Sequence, residues 1–117
     1  MVANTMVGIC ESLTFARKSG IDLDKMLQLL QGGSAASANL KSMGPKMLQR
    51  NFEPGFYVEH FVKDLSIALE ESRRMGLKVE GTEHAHELYK ALSEQGYQRD
   101  GIQALLRELE ALNNIAV

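Results

Sequence analysis

A single cysteine, Cys10, rules out an intrachain disulfide and a cysteine-rich zinc site. It lies in the apolar run MVGIC and reads as a small buried hydrophobe rather than a nucleophile. One free thiol fits a reducing compartment, and the expected location is cytoplasmic. No stretch approaches the ~18 uninterrupted apolar residues of a membrane span. The N-terminus lacks the basic segment and apolar run of a secretory signal. Basic excess is missing too: 13 Lys and Arg stand against 15 Asp and Glu, a formal charge of -2. Without a basic field to hold a phosphate backbone, nucleic acid is not an expected partner. There is no GxGxxG, there are few β-branched clusters, and no long alternating run occurs, so a dinucleotide-binding sheet is excluded. The segment GGSAAS lacks both a preceding strand and the GK[ST] ending of a phosphate loop. It reads instead as a helix stop followed by a cap at Ser34 or Ser37. No GxSxG elbow surrounds any serine. The histidines His60, His84 and His86 form no HExxH, and His84 and His86, two apart, do not share a helix face, so no metal site is expected.

What remains is helical. The 117 residues, 44% hydrophobic and 24% charged, are enough for one domain with its own core. Met6, Ile9, Cys10, Leu13 and Ala16 recur three and four apart, predicting a helix over 1–18 that Gly20 stops. That pattern is already under way at Met1, which leads to the expectation of a domain continuing a longer chain. Asp22 is expected to cap a second helix with Leu23, Met26, Leu27 and Leu30 as its stripe, ended by Gly32-Gly33. A Ser/Ala-rich segment follows, and Gly44-Pro45 is expected to break it. Residues 51–57, NFEPGFY, read as a loop packed down by its aromatics. A helix of roughly 18 residues begins at Val58, with Val58, Phe61, Val62, Leu65, Ala68, Leu69 and Met75 as its buried face and Glu70–Arg74 as an i,i+4 pair. Gly76 ends it. Thr82 is expected to open the next helix, with Ala85, Leu88, Tyr89 and Leu92 inward and Gly96 closing it. Asp100 is the candidate cap for a last helix carrying Leu105, Leu106, Leu109 and Leu112. The expected fold is an all-α compact bundle of five to seven helices in a single domain, 1–117.

Lys63 and Asp64 are the candidate chemistry. A Lys-Asp pair on a helix is ordinarily solvated surface. Yet His60 and Ile67 lie one turn either side of Lys63, which is expected to border the apolar face. From there it could reach a carboxylate, a phosphate or a carboxamide, with Asp64 anchoring it. Asn4 and Asn39 are polar within helical segments and need be no more than backbone or interhelical bonds.

Four stretches occur in an order that resembles one family. They are ESLTFARKSGIDLDKMLQLLQGGSAAS, MLQRNFEPGFYVEHFVKDLSIALEESRRMG, HELYKALSEQGY and DGIQALLRELE. Together they are similar to the C-terminal helical domain of the β-hydroxyacid dehydrogenases, which include 3-hydroxyisobutyrate dehydrogenase and 2-hydroxy-3-oxopropionate reductase; the same fold type occurs in 6-phosphogluconate dehydrogenases. The P-G-F…K-D-L spacing is its most specific part. The chain departs from the family pattern at KVEGT, where a P-L-x segment is usual. The resemblance implies an NAD(P)-dependent oxidoreductase that passes hydride between a nicotinamide and a small β-hydroxyacid or semialdehyde. It implies a missing N-terminal Rossmann domain, a catalytic Lys and Asn upstream of Met1, and an inactive fragment with no catalytic residue of its own. Register gives Asn4 no catalytic role. Lys63 is implied to approach nicotinamide and substrate, Phe61 to line the cofactor site, and Asp64 to support the pocket. NAD or NADP would serve the full-length enzyme and neither is expected bound to this fragment; a homodimer or higher homo-oligomer is expected. The other reading open to the sequence is a stand-alone helical dimerisation or binding module without catalysis.

Overall fold

The computed structural model describes all 117 residues. Six α-helices follow in order: α1 (Val2–Lys18), α2 (Leu23–Gln31), α3 (Ala38–Leu48), α4 (Val58–Arg74), α5 (Glu80–Leu92) and α6 (Leu105–Asn113). A π-type turn at Ser93–Tyr97 and a 3-10 turn at Ile102–Ala104 join the last two. The only β-type pairing is an isolated bridge between Tyr57 and Gly101.

Helix α1 is the spine, touching α2, α3, α5 and α6. Its predicted stripe is buried in full, with Met6, Cys10, Leu13 and Ala16 completely covered. Leu92, Leu105, Leu106 and Tyr89 close over it from α5 and α6. Each such side chain contributes roughly 1.5–3 kcal/mol on burial. Gly20 takes a left-handed φ of 72° after α1, and Ile21 N–H then bonds Ala16 O at 2.9 Å. The Asp22 and Ser37 caps form, accepting from Lys25 N–H at 2.9 Å and Leu40 N–H at 3.0 Å.

Five local expectations are corrected. Gly44-Pro45 does not break a helix: α3 runs straight through it. The proline forfeits the bond to the Lys41 carbonyl, but Lys41 is exposed and water can serve that oxygen. Gly44 is there for packing, since a Cβ would come within 3.0 Å of the Leu27 side chain. On α4, Ala68 and Met75 are exposed rather than inward. Arg74 pairs with Glu71 at 2.9 Å, three residues back, rather than with the predicted Glu70 four back. Helix α5 opens at Glu80, not Thr82. Asp100 caps nothing, because the 3-10 turn intervenes before α6; its backbone carbonyl receives Val58 N–H at 2.9 Å instead.

That last bond belongs to a zipper joining the loop before α4 to the loop before α6. Gly101 N–H donates to Phe52 O at 2.8 Å, Ile102 N–H to Phe56 O at 3.1 Å, and Glu59 N–H to Gln98 O at 3.0 Å. Gln103, only 1% exposed, donates its amide to Asn51 O at 3.1 Å and Glu53 O at 2.9 Å. Gly101 must lack a side chain, since its Cβ would fall 2.4 Å from the pinned Gln103 amide. Replacing Gln103 by Leu leaves both carbonyls without a donor and is expected to cost about 2–4 kcal/mol, read by urea unfolding.

Cys10 is fully covered. Burial, then the Glu11 and Glu110 carboxylates, push its thiol far above the ordinary range. Burial and then the charge at Cys10 likewise raise Tyr89, whose hydroxyl donates to Ile102 O at 3.0 Å. A thiol reagent at pH 8 is expected to leave the native protein unlabelled and to take one equivalent in denaturant. For both groups the folded pKa lies above the unfolded one. Their contribution to stability is therefore complete below the unfolded thiol pKa, about 8.5, and is lost as pH rises above it. The thermal midpoint is expected to fall progressively above that point.

Candidate functional site

The zipper fixes where α4 begins, and α4 carries the predicted site residues. An aromatic chain runs outward from the core. Tyr89 meets Phe61 edge-on at 4.9 Å, and Phe61 meets Phe56 edge-on at 5.9 Å. Phe61 is thus half-buried and backs Phe56, whose ring is 42% exposed. The loop aromatics divide their work: Phe52 is buried while Phe56 faces out. His60 lies edge-on to Tyr57 at 5.5 Å and tilted over Phe56 at 6.3 Å. Arg99 stacks over the Tyr57 ring at 4.6 Å and is tied to Glu59 at 2.9 Å.

Lys63 does not border the apolar face. Val58, Leu65 and Leu69 point inward, and Lys63 is exposed on the outer side with His60, Asp64 and Ile67. His60 and Ile67 do lie one turn either side of Lys63, but Ile67, 54% exposed, belongs to the outer strip rather than to the core, and Lys63 lies there with it. Neither Lys63 nor Asp64 takes part in any ion pair or side-chain hydrogen bond. By contrast, Glu59, Glu71, Arg74 and Arg99 are all paired. Phe56 and His60 are the members of this strip that the sequence did not single out. The signal was present in PGFYVEH, where an aromatic and an imidazole sit four apart ahead of Lys63.

The outer strip therefore offers an aromatic edge, an imidazole, a free cation and a free carboxylate along one helix. These groups suit a planar ligand bearing amide and anionic groups. The strip is a wall rather than a pocket, since none of the four clefts is lined by Lys63, Asp64 or Phe61. The most voluminous cleft, about 430 Å³, lies between the C-terminal halves of α1 and α6, lined by Glu11, Phe15, Lys18 and Leu109 among others. It carries none of the candidate chemistry. No group of three His, Cys, Asp or Glu is placed to hold a metal. Asn4 lies against α5, its amide 3.3 Å from where a Cβ on Gly81 would stand, a packing role.

Residues 1–109 match the family described as NAD-binding of NADP-dependent 3-hydroxyisobutyrate dehydrogenase. The probable 3-hydroxyisobutyrate dehydrogenase-like 1, mitochondrial, of Arabidopsis thaliana is 47% identical over 99% of this chain and 35% of its own length. The 2-hydroxy-3-oxopropionate reductase of Escherichia coli is 33% identical over 97% of this chain and 39% of its own. The crystal structure of 3-hydroxyisobutyrate dehydrogenase from Salmonella typhimurium superposes with a TM-score of 0.84 at 20% identity, covering 91% of this chain and 38% of that one, and shows the same fold. The chain thus spans little more than a third of the length of these relatives. Six helices, an uninterrupted match over residues 1–109 and that partial coverage lead to one conclusion: the chain belongs to the 3-hydroxyisobutyrate dehydrogenase family, as its all-helical domain.

Proposed function

We propose that this chain is the substrate-side and dimerisation domain of an NAD(P)-dependent oxidoreductase acting on a small β-hydroxyacid or semialdehyde, and that alone it is inactive. The observation that carries the reading is the unpaired Lys63–Asp64 pair on the outer face of α4, in a chain of this family. The strip fits one side of a nicotinamide and lacks any glycine loop or sheet to hold the rest of a dinucleotide. When bound, the nicotinamide supplies or accepts the hydride at its ring. Lys63 holds a fixed positive charge against the cofactor or the substrate carboxylate, where exclusion of water strengthens it. Asp64 accepts from donors on the same ligand and keeps the strip from becoming purely cationic. Phe61 supports the wall from behind, through Phe56. None of these groups is assigned the acid/base that protonates the developing alkoxide; on this reading that role falls to the dinucleotide-binding part of a full-length enzyme.

The decisive experiment begins with the coding sequence upstream of residue 1 and continues with kinetics on the encoded chain. A GxGxxG segment upstream, with NAD(P)-dependent turnover of small hydroxyacids by the whole chain and none by residues 1–117, is the expected outcome. In that chain Lys63→Met is expected to lower kcat/KM about ten- to a hundredfold, the loss of one charged hydrogen bond. A change within twofold overturns the role given to Lys63. Absence of any dinucleotide-binding segment turns the reading to a binding module without catalysis.

The same reading includes self-association. Phe15 and Leu112 are 67% and 62% exposed, and Phe15 lines the cleft between α1 and α6. Exposed apolar side chains of this size favour burial between copies. Sedimentation velocity is expected to give a dimer or larger species that Phe15→Glu with Leu112→Glu disperses; a concentration-independent monomer overturns it.

A further inference from the structure

We infer that His60 is a second, pH-responsive cation of the α4 strip, holding beside Lys63 an oxyanion of the bound ligand. The inference rests on the proposal that this strip faces cofactor and substrate. The imidazole is exposed and has no protein hydrogen-bond partner, in contrast to His86, which is bonded to Ser66 at 2.8 Å on the flank toward α5. It is nevertheless supported, edge-on to Tyr57 and tilted over Phe56. On a helix it lies one turn before both Lys63 and Asp64.

The charges around it are few. Glu59 is drawn aside to Arg99, and Arg99 is held over the Tyr57 ring. From α5 the side chain that bonds to α4 is His86, engaged with Ser66. In the 93–97 turn, Glu94 pairs with Lys90, and Tyr97 carries Arg107. In the 102–104 turn, Gln103 is committed to Asn51 and Glu53. Asp100, whose carbonyl meets the start of α4, is paired with Arg107 at 3.6 Å, and on α4 itself Lys63 and Asp64 lie one turn on from His60 and balance. With a neutral imidazole the strip carries no net charge; protonation makes it cationic and turns both ring nitrogens into donors.

The ligand chemistry is an oxyanion, which the reaction class supplies twice: the carboxylate of the acid substrate and the diphosphate of the dinucleotide. Both are charged throughout the range in which imidazole titrates. Binding should therefore tighten as pH falls, and only for the ligand whose oxyanion meets His60. A residue of this kind positions ligand and does not exchange protons with the reacting carbon or oxygen. Its signature is in KM rather than kcat.

The test uses the longer chain that carries this domain behind its dinucleotide-binding part, with KM measured separately for hydroxyacid and for dinucleotide from pH 5.5 to pH 8.5. In the native sequence, one of the two KM values is expected to fall toward low pH. In His60→Gln that fall disappears, leaving KM at low pH roughly tenfold above native, the size of one screened charge contact, with kcat little changed. In His60→Lys the low KM persists across the whole range. The ligand whose KM responds identifies the oxyanion. A pH profile in His60→Gln that overlays the native one for both ligands overturns the inference. If Lys63→Met raises KM in the same experiment, the reading of the strip survives that loss; if Lys63→Met is also silent, both fall. Since His60 is exposed, matching thermal midpoints are expected and serve as the folding control.

Discussion

The fold is organised by one buried amide. Gln103 satisfies two loop carbonyls from inside the core, and around it four backbone bonds join residues 52–59 to residues 98–102. Loops ordinarily run over the surface because their carbonyls need water. Here the loop ahead of α4 can drop Phe52 into the core only because Gln103 replaces that water. The position of α4, and of everything it displays, follows from this exchange.

A helix pinned at its first turn presents its outer face in a fixed register. Its inner side, Val58, Leu65 and Leu69, is apolar and covered. Its outer side is heterogeneous: aromatic, imidazole, ammonium, carboxylate, aliphatic. On an ordinary solvated helix such charges are lightly coupled to neighbours and worth little either way. Some of the chain's arginines and glutamates are paired, Glu71 with Arg74 and Arg99 with Glu59 at the surface and Arg50 with the buried Glu110. Lys63 and Asp64, like Lys18, Lys41 and Glu70, have no ion-pair partner, and what sets them apart is their place beside an aromatic chain that runs from Tyr89 to the surface at Phe56.

How much of this could be read from residues alone varies with the range of the interaction. The α1 stripe, the Asp22 and Ser37 caps and the Gly20 stop are local patterns, and each appears where expected. Gly44-Pro45 was misleading because its meaning lies in another helix. Gly44 admits Leu27 from α2, and α3 continues across the proline. Asp100 as a cap failed for a similar reason: its carbonyl is claimed by Val58, more than forty residues earlier. The side on which Lys63 sits was missed because Ile67 counts as apolar in any periodicity, yet no element covers it. Family membership was legible from motif order, P-G-F in the loop before α4 and K-D-L on α4 itself.

Taken together, the helices form a complete core and an incomplete site. The core needs nothing further: α1 is sheathed by α2, α3, α5 and α6, and its inner side chains are fully buried. The strip is different. A wall that leaves Phe56 and Ile67 in water while holding Lys63 and Asp64 unpaired forgoes both apolar burial and charge pairing. Such a cost is retained where a ligand and a second surface supply both together, the apolar residues gaining cover and the charges gaining partners in one closure. In relatives about two and a half to three times as long as this chain, there is chain enough to form that surface. On the proposed reading, the helical domain contributes a rigid half of the cleft, and specificity among small hydroxyacids arises from how the groups on α4 are matched by those opposite.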